Sequence, residues 1–417
     1  MRFFLLLFLL FISYSQSIIK LPFQKEKQIL KDENDFIDIF LKNNLIYELN
    51  IGTPTKKIPI NLILNYHNFF LYGTELKGLY DEKISSSYKN NSDYEITFED
   101  ENFNVGFLSL EKVNFNDENN KIKEYNNISF ILATRNTKEN KYNNVIGLTI
   151  FSNSKILKGN LLYGLKLNKI IPSLTFYFKY NDNKKEKGEI LIGDSPHNYD
   201  KSFSIEHFKF IPLEISKYSN FNWNIVFEKI HFGDIGFVQN NWFSIDFNVE
   251  GIIADDRLMK IFENNFFNSL IESKKCFKNE KKYNDKYYYF YCDKGIDLKG
   301  FKKVFFYSQV IDFNFTFDSN DLFIEKNDKL YFMIVFSFQN KRILGDIFMK
   351  KYNTLFDQER KYIGFYFGKN STFSFYWFFI FILFILALLL SYSIYKSIGL
   401  KKRKMKANEL EENLVLN

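Results

Sequence analysis

The segment Ile46–Pro54 (IYELNIGTP) alternates apolar and polar side chains and then turns at Gly52 and Pro54. Alternation with a period of two predicts a β-strand with one buried face. Glycine permits backbone angles that other residues resist, and proline fixes its own φ angle, so the pair predicts a tight turn directly after the strand. Together with three segments further along the chain, this stretch indicates the fold.

Three comparable segments follow. Val145–Leu148 (VIGL) is an apolar turn, and Trp223–Gly233 (WNIVFEKIHFG) is an alternating strand that ends in glycine. Ile343–Phe348 (ILGDIF) predicts a turn and a short helix, and residues 352–365 predict a final hairpin. The pattern favours a chain built mainly from strands.

In this order and at these separations, the four segments resemble those of the pepsin-like aspartic peptidases, over about residues 45–367. The resemblance implies an all-β fold in which two related lobes pack around a substrate cleft. It places the N-terminal lobe at residues 45–205 and the C-terminal lobe at residues 206–367.

The remaining sequence also predicts a mainly β chain. Helical periodicity is confined to Leu161–Leu167 and Asp256–Leu270, and Asn181–Lys187 is the clearest hairpin loop. Short apolar runs predict the strands Leu45–Ile51, Lys57–Leu64, Tyr94–Phe98, Leu174–Lys179, Glu189–Ile192, Asn224–Phe232 and Lys329–Phe338.

The resemblance implies two catalytic aspartates, one from an Asp-Thr-Gly turn in each lobe. Two carboxylates at contact distance share one proton, so one acts as base on a water while the other hydrogen-bonds the scissile carbonyl. Counting from Gly52 places the first turn at Ile63, Leu64 and Asn65. An alkyl side chain therefore stands where the first aspartate is expected.

The second turn keeps its aspartate. Counting from Gly233 places this turn at Asp246, Phe247 and Asn248. Phe247 replaces a threonine whose hydroxyl helps to tie the two loops together in the family, and Asn248 replaces a glycine. We therefore expect an incomplete dyad, with Asp246 as the one retained member.

The flap that covers the cleft in the family is altered as well. Phe98 stands where the resemblance implies a tyrosine, and Asp100 lies in the acidic run Glu99–Glu101, which lacks the flap glycines. Two interpretations are open: the run is a solvated hairpin tip, or Asp100 reaches down and supplies the missing carboxylate. The candidate cleft residues around Asp246 are Asn65, Phe98, Asp100, Phe247 and Asn248.

Residues 1–17 have the order of a secretory signal, with Arg2, an apolar run too short to span a bilayer, and then small serines. Residues 18–44 resemble the start of a family prosegment but are shorter than is usual there. A prosegment masks two ionised aspartates, so the loss of one aspartate removes the need for such a mask.

Near the other end, residues 373–395 form a run of 23 positions without a charge. A helix of that length spans about 34 Å, enough for a bilayer with some tilt. Residues 396–417 begin with a basic cluster, and positive residues stay cytosolic. The sequence therefore predicts a single-span type I protein of the secretory pathway or cell surface, with a lumenal or extracellular ectodomain and a cytosolic tail.

Export would place the ectodomain where disulfides form. Cys276 and Cys292 are the two cysteines of the chain, so we expect one bridge, worth about 3 kcal/mol from loop entropy. The four histidines show no ligand spacing, so no metal is expected. Triplets for N-glycosylation begin at Asn90, Asn127, Asn314 and Asn370.

The net charge of +7 includes the basic tail and leaves no basic patch for nucleic acid. We expect a monomer without a cofactor. The favoured hypothesis is a pseudoprotease whose cleft binds an extended peptide or a protein. One alternative is an active aspartic endopeptidase with a non-standard dyad that uses Asp246, which Ile63 argues against because it cannot titrate. The other is a structural or adhesion ectodomain, which would not respond to a ligand in the cleft.

Overall fold

The computed structural model describes most of the chain. The described residues are 18–27, 30, 35–76, 78–91, 96–98, 104–135, 144–149, 159–181, 186–214, 223–282, 285–339, 341–368, 383–392, 394–396, 398–399 and 401–402. The chain divides into two compact units, one that ends at Phe367 and one that begins at Gly368. The predicted signal peptide, residues 1–17, lies outside the described residues.

Strands dominate the first unit, as the sequence predicts. The strands of its first half are β1 (Ile19–Lys25), β2 (Leu45–Ile51), β3 (Lys56–Ile63), β4 (Phe69–Tyr72), β5 (Lys89–Asn90), β6 (Ile96–Phe98), β7 (Asn104–Asp117), β8 (Ile122–Arg135), β9 (Val145–Gly147), β10 (Thr175–Tyr180), β11 (Lys187–Ile192) and β12 (Phe208–Pro212). Those of its second half are β13 (Asn224–Phe232), β14 (Ile235–Ile245), β15 (Ile252–Asp255), β16 (Cys276–Lys282), β17 (Lys286–Asp293), β18 (Val304–Ser308), β19 (Phe313–Phe317), β20 (Phe323–Lys326), β21 (Lys329–Phe332), β22 (Ile334–Ser337), β23 (Ile343–Leu344), β24 (Thr354–Asp357) and β25 (Tyr362–Tyr366). The helices are α1 (Phe36–Phe40), α2 (Leu161–Leu167), α3 (Asp256–Phe262), α4 (Asn268–Glu272), α5 (Ser319–Leu322) and α6 (Asp346–Lys351).

One sheet contains fourteen of the described strands, in the order β12-β25-β24-β10-β11-β1-β2-β3-β9-β4-β8-β7-β5, with β6 paired to β7. Three of them, β12, β24 and β25, come from residues 206–367, which the sequence assigns to the C-terminal lobe. They join the N-terminal strands where β24 pairs with β10, from Thr175 to Phe178. The last strands of the unit therefore complete a sheet that the first strands begin.

The second sheet contains the eleven described strands from β13 to β23, in the order β19-β18-β13-β14-β23-β15-β22-β17-β21-β20, with β16 paired to β17. Its strands all lie between residues 224 and 344. The two sheets are the cores of the two lobes, and the mainly β, bilobal prediction is confirmed.

One local arrangement occurs in both sheets. In the first, β3 runs parallel to β9 and β4 runs parallel to β8. In the second, β14 runs parallel to β23 and β15 runs parallel to β22. The turn from β3 to β4 and the turn from β14 to β15 therefore lie in equivalent settings, which is how the fold positions the candidate site.

Trp223 joins two of the segments that indicated the fold. Its indole Nε1 donates a hydrogen bond of 3.1 Å to the carbonyl oxygen of Leu148. The ring is 1% exposed and packs edge-on against Phe176 and Phe356, with ring centroids 5.6 and 4.8 Å away. A buried indole that is both packed and hydrogen-bonded contributes strongly to a core, so this contact helps to hold the two halves of the unit together.

Two predicted elements differ in detail. Lys329–Phe338 is two strands, β21 and β22, because the backbone of Met333 between them bonds elsewhere. Its N–H donates to the carbonyl of Leu322, and its carbonyl accepts from the N–H of Ile252, both at 2.8 Å. The predicted helix Asp256–Leu270 contains a π-helical turn, Glu263–Phe267, between α3 and α4.

The predicted disulfide is present. Cys276 and Cys292 are bonded and face each other on the paired strands β16 and β17, where both side chains are buried. Seven consecutive positions pair in this hairpin. The bond therefore closes a loop that the strand pairing already organises.

Replacing both Cys276 and Cys292 with serine should lower the free energy of unfolding by about 2 kcal/mol. This is less than the value of about 3 kcal/mol from loop entropy, because residual pairing of this local hairpin already restricts the unfolded chain. Urea denaturation of the oxidised protein and of the double variant measures this difference. Reduced wild-type protein is the control and should match the double variant. Equal stability of the oxidised wild type, the reduced wild type and the double variant would contradict the prediction.

The second unit begins at Gly368. Residues 383–392 are helical, and their large apolar side chains are exposed. Most of the rest of the predicted span 373–395 and of the tail 396–417 lies outside the described residues. Within the described part of the chain, no helix is long and apolar enough to cross a bilayer.

Candidate functional site

Two turns form the candidate site: the first turn, residues 63–68, and the second turn, residues 246–251. Each turn packs against a glycine of a neighbouring segment. A Cβ on Gly147 would lie 2.4 Å from a backbone oxygen of the first turn, and one on Gly345 would lie 2.1 Å from a backbone oxygen of the second. No side chain fits at such distances, so the VIGL and ILGD segments need glycine to let the turns pack closely.

Asp246 is the carboxylate that the second turn contributes. It is 6% exposed, and its Oδ1 accepts a hydrogen bond of 2.9 Å from the backbone N–H of Asn248. Burial raises the pKa of Asp246 to about 6, against the opposing effects of that hydrogen bond and of the charge on Lys341. Asp246 therefore changes its protonation state under mildly acidic conditions rather than near pH 4.

Asn65 is the residue of the first turn that contacts Asp246. Its amide Nδ2 donates a hydrogen bond of 3.1 Å to Oδ2 of Asp246. Ile63, which stands at the expected aspartate position, is half-buried at the end of β3. The polar partner of Asp246 is therefore an amide from the third position of the turn and not a carboxylate from the first.

Asn248 ties the two turns together. Its Oδ1 accepts a hydrogen bond of 3.3 Å from the backbone N–H of Leu64, and its Nδ2 donates one of 3.0 Å to the carbonyl of Leu62. Phe247 stands where the resemblance implies a threonine whose hydroxyl helps to tie the two loops, and phenylalanine has no hydroxyl. An amide has both a donor and an acceptor, so Asn248 provides two such bonds from the next position.

Phe247 takes a different role from the threonine that it replaces. Its side chain is fully buried, and its ring stacks on Phe178 with centroids 5.3 Å apart. Neither Asn65 nor Asn248 has a positive φ angle, so neither turn requires glycine at these positions. The substitutions therefore produce a well-packed pair of turns that lacks the second carboxylate.

The flap residues are only partly described. Phe98 ends β6 and pairs with Asn104 on β7. Asp100 lies outside the described residues, so whether it reaches Asp246 stays a prediction.

A partly buried ion cluster lies in the same lobe as Asp246. Asp255, at the end of β15, is 3% exposed and binds Arg257 and Arg342, with the Arg342 Nη2 to Oδ2 distance at 2.7 Å. Burial opposes ionisation of Asp255, but the two guanidinium groups together lower its pKa below the ordinary value. Sequence reasoning missed this cluster because its members are up to 87 residues apart.

The remaining predicted sites are surface positions. Asn90, Asn127 and Asn314 are exposed, and Asn370 lies outside the described residues. Within the described part of the chain, no group of three or more His, Cys, Asp or Glu side chains is placed to hold a metal ion.

Comparison with known proteins agrees with this architecture. Residues 65–366 match the family model of the eukaryotic aspartyl proteases, a match that begins two residues after Ile63 and includes the second turn. Basic 7S globulin from soybean superposes with a TM-score of 0.60 at 14% identity, covering 84% of this chain and 96% of that one. Conglutin gamma, a basic 7S globulin from lupine seeds, gives a TM-score of 0.62 at 15% identity, covering 85% and 96%. At these identities the likeness shows the fold alone, and comparison with curated proteins gave no match.

Two β lobes with equivalent turns, each resting on a glycine, define the pepsin-like class of fold. The chain belongs to the eukaryotic aspartyl protease family. Within that family, its candidate site joins one buried aspartate to one asparagine.

Proposed function

We propose that this protein is a pseudoprotease: a membrane-anchored member of its family that binds an extended peptide or a protein in its cleft and does not cleave it. The contact between Asp246 and Asn65 supports this proposal most directly. The first turn offers Asp246 an amide at 3.1 Å, and Ile63 offers an alkyl group, where proteolysis requires a second carboxylate.

The chemistry of an amide explains why the site would be catalytically inactive. Peptide hydrolysis by this family needs one group that accepts a proton from water while another donates to the scissile carbonyl. The amide of Asn65 donates a hydrogen bond, but it does not ionise at mildly acidic pH and so cannot serve as a general acid or base. Asp246 can take either role, but a single carboxyl cannot take both in one step.

Peptide cleavage by the pure ectodomain should be undetectable between pH 3 and 7. General acid–base groups are worth about 10²–10⁴-fold each, and a dyad acts as a unit, so the loss of one member removes nearly all turnover. The measurement is digestion of a broad peptide library, followed by mass spectrometry, with Asp246→Asn as the matched control. Turnover that disappears in the Asp246→Asn variant would show that the enzyme alternative is right.

A single Ile63→Asp change should not restore useful turnover. The amide of Asn65 already donates a hydrogen bond to Oδ2 of Asp246, so a new carboxyl group could not share a proton with that oxygen in the productive geometry. A misplacement of about 1 Å can cost about 10²-fold in rate. The same library digestion tests this variant.

Binding in the cleft is a separate part of the proposal. It is supported by Asp246, a retained and buried carboxyl group between the two lobes. Peptides captured by the ectodomain should be lost when Asn65, which is exposed beside Asp246, is replaced by arginine. Asn119→Arg, on the exposed turn between β7 and β8, is the matched control. Equal capture by both variants would favour the structural or adhesion alternative.

We also propose a type I topology in the secretory pathway or at the cell surface, acting as a monomer without nucleic acid. The charge-free run at residues 373–395 and the basic residues after it support this orientation. A tag at Asn417 should be digested by external protease in cells with permeabilised plasma membranes, while the ectodomain stays protected in sealed vesicles. Digestion of the ectodomain together with the tag, in vesicles that stay sealed, would place both on one side of the membrane and refute the topology.

A further inference from the structure

The N-terminal segment, residues 18–44, is built into the first unit at three places. The first is strand β1, which lies between β11 and β2 in the middle of the fourteen-stranded sheet. Residues 19–24 pair with β11, and Phe23 to Lys25 pair with β2. Ile19, Leu21 and Phe23 are buried. Without β1, two neighbouring strands would lose their hydrogen-bond partners and the sheet would open at its centre.

The second place is a buried group of charges around Lys25. Its Nζ lies 3.0 Å from Oδ2 of Asp346 and 3.7 Å from Oε1 of Glu250. The Asp346 side chain is fully buried and also binds Lys350. Burial alone would raise the pKa of Asp346, but Lys350 and Lys25 hold it below the ordinary value. Removing Lys25 would therefore leave two buried carboxylates with less compensating charge.

The third place is the back of the second turn. Phe36, in helix α1, stacks on Tyr331 of the second sheet with ring centroids 4.6 Å apart. The carbonyl of Phe40 accepts a hydrogen bond of 2.8 Å from the backbone N–H of Glu250. The amide Nδ2 of Asn43 donates one of 2.6 Å to the carbonyl of Phe247. The N-terminal segment thus contacts both sheets and supports the loop that holds Asp246.

We infer that the N-terminal segment is a permanent part of the mature domain, and that no cleavage releases it once the signal peptide has gone. A releasable segment would have to leave behind a surface that is stable without it. Here its departure would open the sheet, expose the aromatic side chains that Phe36 covers and free the second turn. This inference does not depend on whether the cleft binds peptides.

Intact-mass measurement and N-terminal sequencing of the full-length protein, purified from cells, test the inference directly, before and after incubation between pH 3 and 7. All folded material should begin upstream of β1. A folded species that begins near Leu45 would overturn the inference.

A cut within the segment provides a second test that does not require the deleted protein to fold. A site-specific protease sequence inserted between Glu26 and Lys27, both exposed, would separate β1 from the rest of the chain. The cut β1 peptide should co-elute with the domain on size exclusion and separate only in denaturant. Loss of the peptide with an unchanged melting temperature would overturn the inference.

Two lysine variants test the contribution of the buried charges. Lys25→Met should lower the melting temperature by about 6 °C, because it removes one partner of a buried ion pair. Lys27→Met changes an exposed lysine two positions away and should leave the melting temperature within about 1 °C. Equal melting temperatures would show that the ion pair does not hold the segment.

Discussion

Replacing Asp246 with asparagine should stabilise the folded domain by about 3 kcal/mol at pH 7 and leave its stability at pH 3.5 nearly unchanged. The pKa of Asp246 is about 6 in the folded protein and 3.8 in the unfolded chain, because burial disfavours the carboxylate. Between these values the folded protein holds a proton that the unfolded chain releases, so stability falls as pH rises from about 4 to 6. Each pKa unit is worth about 1.4 kcal/mol, and asparagine removes this loss.

Urea denaturation of wild type and Asp246→Asn at pH 3.5, 5 and 7 measures the effect. Asp255→Asn is the matched control, because it should lower the free energy of unfolding at pH 7, where Asp246→Asn should raise it. Arg257 and Arg342 lower the pKa of Asp255 despite its burial, so its contribution is present at neutral pH and is lost as pH falls through the folded pKa. The interpretation of Asp246 is wrong if Asp246→Asn destabilises the domain at pH 7.

Replacing Asn248 with alanine should destabilise the domain by about 4 kcal/mol. The change leaves the N–H of Leu64 and the carbonyl of Leu62 without their side-chain partner at a packed junction between lobes. Each buried polar group that loses its partner costs about 1–3 kcal/mol. Urea denaturation at pH 5 measures the loss.

Asn65→Ala is the matched control for Asn248→Ala, since it removes an amide from the corresponding position of the first turn. Asn65 is exposed and gives one hydrogen bond to Asp246, so its loss should cost less than about 1 kcal/mol. Equal destabilisation by the two changes would mean that Asn248 is not the tie between the turns.

The strands were predictable where the signal is local. Leu45–Ile51 and Asn224–Phe232 have the bounds that their alternation predicts. One face of Leu45–Ile51 is buried along its whole length, whereas in Asn224–Phe232 the buried face changes at a bulge between Phe227 and Lys229. The prediction that Lys329–Phe338 is a single strand was wrong. The strand is interrupted at Met333, whose backbone N–H and carbonyl form hydrogen bonds with other segments. That partner choice is made by distant residues, Leu322 and Ile252, and leaves no mark on the local pattern.

The sequence predicted which residues stand on the two turns of the candidate site but not which of them contact each other. Counting along the chain identified Asp246 and the missing carboxylate at Ile63, because the turn length is fixed by the strands on either side. It could not show that Asn65 reaches Asp246, or that Asn248 replaces the threonine tie, because these contacts join residues more than 180 positions apart. The substitutions looked like losses in the sequence, and the structure shows new hydrogen bonds in their place.

The shared fourteen-stranded sheet has a consequence for synthesis. Strands β24 and β25, residues 354–366, enter a sheet that begins at Ile19, and the pairing of Thr354–Asp357 with Thr175–Phe178 joins residues more than 170 positions apart. Non-local pairings of this kind slow folding, and a growing chain would expose the edge of β10 until the last strands emerge. A ribosome that stops before residue 354 therefore releases an N-terminal lobe with an open edge, which we expect to be retained by chaperones rather than to fold by itself.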